Sequence, residues 1–166
     1  TIQGFHNLDV SGVFQFEGDS TKSALRQLPF LDFEQLAACV TLSKPGPAHS
    51  GGTTLYLANA RGENKGRFDW HPILEDITKD TYYQIIYQEQ VLRIVREIGN
   101  MTWTDANKIR MFMSKSQGEQ AFESYWPAFL EGALENGFDE KKANLVWSNM
   151  KTMGRWAFNK AHAVSY

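Results

Sequence analysis

The amino-acid sequence predicts a mainly α fold, a compact irregular multi-helix domain with a loop or small hairpin around residues 49–70. Apolar residues recur three and four positions apart along most of the chain, as on a buried helix face. Residue types that begin or end helices flank these stretches. The 166 residues, 42% of them hydrophobic, suffice for one globular domain that buries a core but not comfortably for two domains. We therefore expect a single domain over residues 1–166.

Two helices are predicted near the start of the chain. "DSTKSALRQL" (19–28) begins with the potential caps Asp19 and Ser20 and stops at Pro29. "FEQLAACVTLS" (33–43) has helical apolar spacing, and "KPGP" (44–47) breaks it. Cys39, the one cysteine of the sequence, falls in this apolar run. We expect it to be a small core residue, and no disulfide can form within the chain.

The segment 49–70 is rich in Gly, Asn and basic residues, and "TTLYLA" (53–58) alternates apolar and polar positions in part. This pattern predicts an exposed loop or a small hairpin, the least ordered part of the chain. After it, "HPILEDIT" (71–78) predicts a short helix with Pro72 in its first turn. "QIIYQEQVLRIVREIG" (84–99) predicts one helix that ends at Gly99.

Four further helices are predicted in the second half. "TDANKIRMFMSK" (104–115) has Thr104 or Asp105 as its cap, and "GEQAFESYWPAFLEGALENG" (118–137) is read as one helix that contains Pro127 and ends at Asn136–Gly137. "DEKKANLVWSNMKTMG" (139–154) and "RWAFNKAHAVSY" (155–166) complete the chain. Nearly the whole sequence therefore predicts helix.

Motifs of self-contained enzymes do not occur in the sequence. It has no HExxH or CxxC pattern for zinc, no GxxxxGK[ST] or GxGxxG for phosphates, and no GxSxG for a nucleophile. Its net charge of −2 argues against a surface built throughout for a polyanion, and it has no long apolar span for a membrane. A metal site, a membrane role and a complete active site are therefore not expected.

Basic residues coincide with rigid turns and aromatics in three places. Lys44 opens the proline-rich turn; Lys108 and Lys115 lie seven apart on one helix face, with Arg110 offset from them. The terminal "RWAFNKAH" interleaves Lys160 and other basic residues with aromatics. Singly, each cation has an ordinary alternative as a solvated side chain. Together they have the composition needed to bind a polyphosphate and a stacked base.

Six segments in order resemble the fingers region of the bacterial replicative DNA polymerase III alpha subunit, a C-family polymerase. They are "GVFQFE" (12–17), "FEQLAACVTLSKPGP" (33–47), "HPILEDITKDTYYQIIYQEQV" (71–91), "DANKIRMFMSK" (105–115), "FLEGALENG" (129–137) and "AFNKAHAVSY" (157–166). "YQEQV" and "FNK" with a histidine two residues later are the most specific of these. The resemblance runs over almost the whole chain.

The resemblance implies a fingers domain, excised from a longer polymerase, that binds the incoming dNTP and the templating base. It implies that the triphosphate is held by Lys44, Arg110, Lys115, Lys160 and His162. The candidate DNA or base contacts are Lys108, Asn159, Tyr87 and Gln88. The Mg²⁺ ions of the full polymerase would be held by palm residues absent here, so the fragment by itself should be inactive.

The implied partners are primer–template DNA, dNTP, and the palm and thumb of the same chain, in the cytoplasm and without a membrane. The sequence also departs from the family pattern. Lys44 replaces an arginine, Met111 a second arginine, Tyr83 a glycine and Ala161 a serine.

Two alternatives to the nucleotide-binding interpretation remain open at this point. Tyr87, Gln88 and Glu89 could serve only as buried hydrogen-bonded packing. The chain could also be a stand-alone helical module that binds a protein or a nucleic acid. The two functions differ in one geometric expectation, since only a nucleotide site requires Lys44, Arg110, Lys160 and His162 to converge in space.

Overall fold

Helices follow one another along the chain with short turns between them. The computed structural model describes residues 2–29, 31–44, 51–113, 118–154 and 156–166. The α-helices are α1 (Ile2–His6), α2 (Asp19–Gln27), α3 (Phe33–Leu42), α4 (Gly52–Ala60), α5 (Pro72–Thr78), α6 (Gln88–Arg93), α7 (Trp103–Met113), α8 (Glu119–Glu123), α9 (Trp126–Glu135), α10 (Glu140–Gly154) and α11 (Lys160–Ser165). A 3₁₀ turn (Lys79–Thr81) follows α5, and a π turn (Ile94–Ile98) continues α6.

The predicted mainly α class is confirmed. Over the described ranges the structure contains no strand, and an isolated parallel bridge pairs Tyr87 with Phe158. In the same part of the chain, no helix is both long and apolar enough to cross a membrane. Helix α3 begins with a capping box. The Asp32 carboxylate accepts from the Gln35 backbone N–H, and the Gln35 side-chain oxygen accepts from the Asp32 backbone N–H.

The cap predictions for two other helices were wrong. Gly18, not Asp19 or Ser20, is the N-cap of α2. At α7 the hydroxyl of Thr102 accepts from the Asp105 N–H at 3.1 Å, so the helix starts earlier than Thr104.

The prediction of a loop or hairpin across 49–70 was wrong for its centre, where α4 forms. Tyr56 and Leu57 are both buried, whereas a half-exposed strand would turn one of two neighbours to solvent. The buried Asn59 amide donates to the Tyr82 carbonyl at 2.9 Å and ties the helix to the next segment. Residues 61–70 are without helix, as predicted, and 49–50 lie outside the described residues.

The predicted helix 84–99 begins only at Gln88, because residues before it are extended. The buried Gln90 side chain fixes this break: its Oε1 accepts from the N–H groups of Ile86 and Tyr87 at 2.8 and 2.9 Å. Its Nε2 donates to the Thr81 hydroxyl at 2.7 Å. Gln90 is the third residue of α6, so its side chain caps the N–H groups that precede the helix and marks a helix start at Gln88 and not at residue 84.

The predicted helix 118–137 is divided into α8 and α9. Pro127 stands in the first turn of α9, where its missing N–H leaves no hydrogen bond unmade. The end at Asn136–Gly137 is confirmed, with Gly137 at φ 82°. The last predicted helix, 155–166, is shorter than expected: Phe158 is in extended backbone, and α11 starts at Lys160.

Two hydrophobic cores meet at the extended segment before α6. The larger core is formed by the second half of the chain, and Ile85 belongs to it. The smaller core is formed by α2, α3 and α4, and Ile86 and Tyr87 belong to it. Ile85 packs into the larger core and Ile86 and Tyr87 into the smaller one, so this segment contributes to both cores.

A close approach of two glycines fixes α9 against the end of the π turn. A Cβ on Gly132 would lie 1.9 Å from the Gly99 carbonyl oxygen, far inside van der Waals contact. Asn136 reinforces the contact by donating from Nδ2 to the Ile98 carbonyl at 2.9 Å. The backbones can meet here only because Gly132 has no side chain.

We predict that Gly132→Ala destabilises the chain by about 3 kcal/mol, because the added methyl group meets backbone that cannot move aside. Gly4→Ala is the matched control: it is also helical, and its nearest neighbour, the Asp9 carbonyl oxygen, would be at 3.6 Å. This control should change stability by less than about 1 kcal/mol. Urea unfolding followed by circular dichroism measures both. Equal effects would contradict the close packing.

We predict that the Cys39 thiol reacts slowly with thiol reagents in the folded chain. Cys39 is fully buried, as its position in the apolar run predicted, and burial raises its pKa from 9.0 to about 12. Because the thiolate is the reactive form, dithionitrobenzoate at pH 8 should label Cys39 at least roughly a hundredfold more slowly than an exposed cysteine. The comparison is Ser148→Cys in a Cys39→Ala background. Equally fast labelling of the two would show that α3 is not packed as described.

Candidate functional site

A short parallel bridge forms the frame of the candidate site. The Phe158 N–H donates to the Ile86 carbonyl at 3.1 Å, and the Gln88 N–H donates to the Phe158 carbonyl at 2.9 Å. This pairing brings "YQEQV" and "FNKAH", seventy residues apart, to the same place. The first segment is anchored in both cores, so the bridge holds the start of α11 on a rigid support.

Lys44 reaches this frame from the end of α3. Its ammonium lies 5.4 Å from the centre of the Phe158 ring, in the range of a cation–π contact. It also donates to the side-chain oxygen of Gln15 at 2.6 Å. The ammonium is half-buried, and the ring and the amide together hold it in place.

Lys160 is fixed at both its backbone and its side chain. Its N–H, in the first turn of α11, donates to both carboxylate oxygens of Glu89 at 3.1 and 3.0 Å. Its ammonium pairs with Glu34 at 2.8 Å and lies 5.6 Å from the centre of the Tyr87 ring. Only 2% of Tyr87 is exposed, so its buried ring is a fixed contact for the Lys160 ammonium. The same burial raises the pKa of the Tyr87 hydroxyl, which stays protonated.

Arg110 approaches the frame from α7. Its Nη1 donates to the Gln88 side-chain oxygen at 3.2 Å, and the guanidinium is half-buried. Lys108 is exposed two residues earlier on the same helix. Two residues correspond to about 200° of rotation about a helix, so Lys108 lies on another face and the structure does not bring it to Arg110.

His162 also contacts the Phe158 ring. The two ring centres are 5.1 Å apart and meet edge to face. Asn159 is the N-cap of α11, and its side-chain oxygen accepts from the His162 N–H at 2.8 Å. In this structure Asn159 therefore orders the helix that carries Lys160 and His162, a role that its side chain performs through a cap.

Four of the five predicted triphosphate residues are thus attached to one frame, formed by residues 86–88 and 158–160. Lys44 and His162 contact Phe158, Lys160 lies over Tyr87, and Arg110 contacts Gln88. Lys115, the fifth, lies outside the described residues. Their role as phosphate ligands remains a prediction.

Sequence reasoning missed the two residues that hold the lysine ammonium groups, Gln15 for Lys44 and Glu34 for Lys160. Each belongs to a segment quoted for the family resemblance, and that was the available signal. Periodicity could not find them, because their partners are distant in the chain.

Within the described ranges, no group of three or more His, Cys, Asp or Glu side chains is arranged to hold a metal ion. The two carboxylates at the candidate site, Glu34 and Glu89, are engaged by different atoms of Lys160.

Comparison with known proteins agrees with the family resemblance of the sequence segments. The family model of the bacterial DNA polymerase III alpha subunit finger domain matches residues 1–137. DNA polymerase III subunit alpha of Staphylococcus epidermidis is 35% identical over 160 residues, which are 96% of this chain and 15% of that protein. The Staphylococcus aureus subunit (strain Mu50) is 35% identical over 158 residues, 95% of this chain and 14% of that protein. The chain thus spans about 15% of the length of these curated relatives.

We predict that Glu89→Ala lowers the free energy of unfolding by about 1–2 kcal/mol, because it removes the acceptor at the start of α11. Glu89→Gln should lose less, since one oxygen remains. Glu131→Ala, an exposed carboxylate on α9, is the control and should change stability by less than about 0.5 kcal/mol. Urea unfolding measures the stabilities, and hydrogen exchange of the Lys160 amide reports the contact. Unchanged exchange in Glu89→Ala would rule out the contact.

Proposed function

This chain belongs to the finger-domain family of the bacterial DNA polymerase III alpha subunit, and on that premise we propose that it binds the triphosphate of an incoming deoxynucleotide. The proposed ligands are the cations attached to the frame: Lys44, Arg110, Lys160 and His162. The observation that carries the proposal is their convergence on residues 86–88 and 158–160.

The setting of these cations suits a polyanion. Lys44, Arg110 and Lys160 are half-buried, so each is partly withdrawn from water and attracts a phosphate more strongly than a fully hydrated cation would. The described hydrogen bond of Arg110 is to the neutral side-chain amide of Gln88, which does not compensate the positive charge of the guanidinium. Fixed donors of this kind stabilise the charge that develops on the phosphates during transfer.

Glu34 sets the affinity of Lys160 for a phosphate. Its carboxylate holds the Lys160 ammonium at 2.8 Å, and about half of the Glu34 side chain is exposed. A triphosphate must therefore compete with this carboxylate for the ammonium. Because exposed ion pairs contribute little, the exchange costs about 1 kcal/mol or less.

The rest of the reaction belongs to parts of the polymerase outside this chain. We propose that the palm holds the Mg²⁺ ions, which neutralise phosphate charge and activate the primer hydroxyl when bound. Primer–template DNA and the palm and thumb of the same chain are the proposed partners, and the cytoplasm is the proposed location. The fragment by itself is then inactive as a nucleotidyltransferase.

A helical module that binds some other partner is the competing function. It requires no particular arrangement of the four cations, which could then lie on separate helix faces. Their attachment to one frame favours the nucleotide site. The exposed position of Lys108, away from Arg110, also agrees with a site limited to the frame.

The test is a titration of the ¹⁵N-labelled chain with magnesium dNTP, followed by amide chemical shifts. We expect Lys160→Ala and Arg110→Ala each to weaken binding roughly threefold to tenfold, by the loss of one charge-assisted hydrogen bond. Glu34→Gln should strengthen binding roughly twofold to fivefold, because it frees Lys160 from its carboxylate. In a Lys160→Ala background Glu34→Gln should have less effect, since no ammonium remains to be freed.

Lys141→Ala is the matched control. It removes one positive charge from the exposed surface of α10 and should leave the affinity unchanged within about twofold. An equal loss in Lys141→Ala and Lys160→Ala would indicate attraction by overall charge and not a site. Absence of shifts at millimolar magnesium dNTP in the unmodified chain would refute the proposal that this chain binds the triphosphate.

A further inference from the structure

We propose that Gln15 is a positioning residue that holds the Lys44 ammonium in place without cancelling its charge. The proposal rests on the proposed function and assigns a role to "GVFQFE", a motif that the four cations do not explain. Gln15 lies 29 residues before Lys44 in the chain, and its Oε1 accepts from the Lys44 Nζ at 2.6 Å.

The contact fixes one side of the ammonium, and Phe158 fixes another. The Phe158 ring centre is 5.4 Å from Nζ, and the same ring meets His162 at 5.1 Å. Gln15 and Lys44 also line an open cavity of about 390 Å³, which gives solvent access to Lys44. Gln15 therefore orients Lys44 toward the frame and leaves it accessible.

The backbone at Gln15 is held in a conformation that non-glycine residues seldom adopt, with φ at 71°. The surroundings impose it. The buried Thr21 hydroxyl donates to the Gln15 carbonyl at 3.1 Å, and the Glu17 carboxylate accepts from the Gly12 N–H at 2.7 Å. The neighbouring Phe16 is buried in the smaller core. Strain kept at one residue by such contacts is characteristic of functional sites, and its consequence here is the direction of the Gln15 side chain.

The neutrality of the partner is the chemical point. A lysine can be held by a carboxylate, as Lys160 is by Glu34, but its charge is then largely compensated. An amide oxygen accepts the same hydrogen bond and leaves the full positive charge for a phosphate. The carboxylate of Glu17 lines the same cavity, and its described hydrogen bond is to the Gly12 N–H and not to Lys44.

Two substitutions test separately the length and the charge of the side chain at position 15. Gln15→Asn keeps an amide and a residue type that tolerates positive φ, but its side chain is one methylene shorter. Gln15→Glu keeps the reach and adds a negative charge. The probes are magnesium dATP and inorganic tripolyphosphate, and ¹⁵N relaxation of the Lys44 Nζ reports how firmly the ammonium is held. Urea unfolding of each variant confirms that it is folded.

We expect Gln15→Asn to loosen the Lys44 ammonium and to weaken binding of both probes about threefold to tenfold. Gln15→Glu should keep the ammonium ordered and still weaken binding by a similar factor, because the pair is now neutral. In a Lys44→Met background neither substitution should weaken binding as much, since the effect of Gln15 passes through Lys44. A purely structural role would lower stability in all backgrounds and give no such coupling.

The outcomes distinguish this proposal from the proposed function. If Lys44→Met weakens binding while Gln15→Asn leaves both ammonium order and affinity unchanged, the role of Gln15 is overturned and the nucleotide site stands. Binding of Gln15→Glu as tight as the unmodified chain would overturn the requirement for a neutral partner. If the unmodified chain binds neither probe, the proposed function fails, and the role of Gln15 fails with it.

Discussion

The structure depends on one buried amide, that of Gln90. Its oxygen accepts from two consecutive backbone N–H groups, at Ile86 and Tyr87, and its nitrogen donates to Thr81. An extended backbone between two cores would otherwise bury N–H groups without partners, at a cost of about 1–3 kcal/mol each. With them satisfied, the segment before α6 can stay extended, reach both cores and pair with Phe158.

The candidate site follows from that frame. The bridge to Phe158 brings the start of α11 to α6, and Glu89 then fixes the Lys160 N–H. Gln15 and Tyr83 are among the non-glycine residues with positive φ angles. Tyr83 replaces a glycine of the family pattern, and its φ of 61° explains why glycine suits the position. Arg67 packs over the Tyr83 ring at 3.8 Å and covers the larger side chain.

Sequence patterns predicted helices well where the helix is decided by neighbouring residues. The Asn136–Gly137 end and Pro72 at a first turn are such local signals. Prediction failed where a distant partner competes. The helix 84–99 lost its first turn to the Gln90 amide, and the alternation in "TTLYLA" was overridden because α4 is buried against Tyr82. For the site, the cations were found by resemblance, but Gln15 and Glu34, which hold two of them, were not.

The sequence by itself determined the helical class, the buried state of Cys39 and, through its family motifs, the identity of the cations. Each of these depends on residue type and on spacing within a few positions. Only the tertiary structure decided that Lys44, Arg110, Lys160 and His162 share a frame, that Glu34 holds one of them and that Gln15 holds another. The physical reason is that, apart from the local contact of His162 with Phe158, these contacts join residues 22 to 126 positions apart, and such pairings are selected by how two cores pack and not by any local pattern.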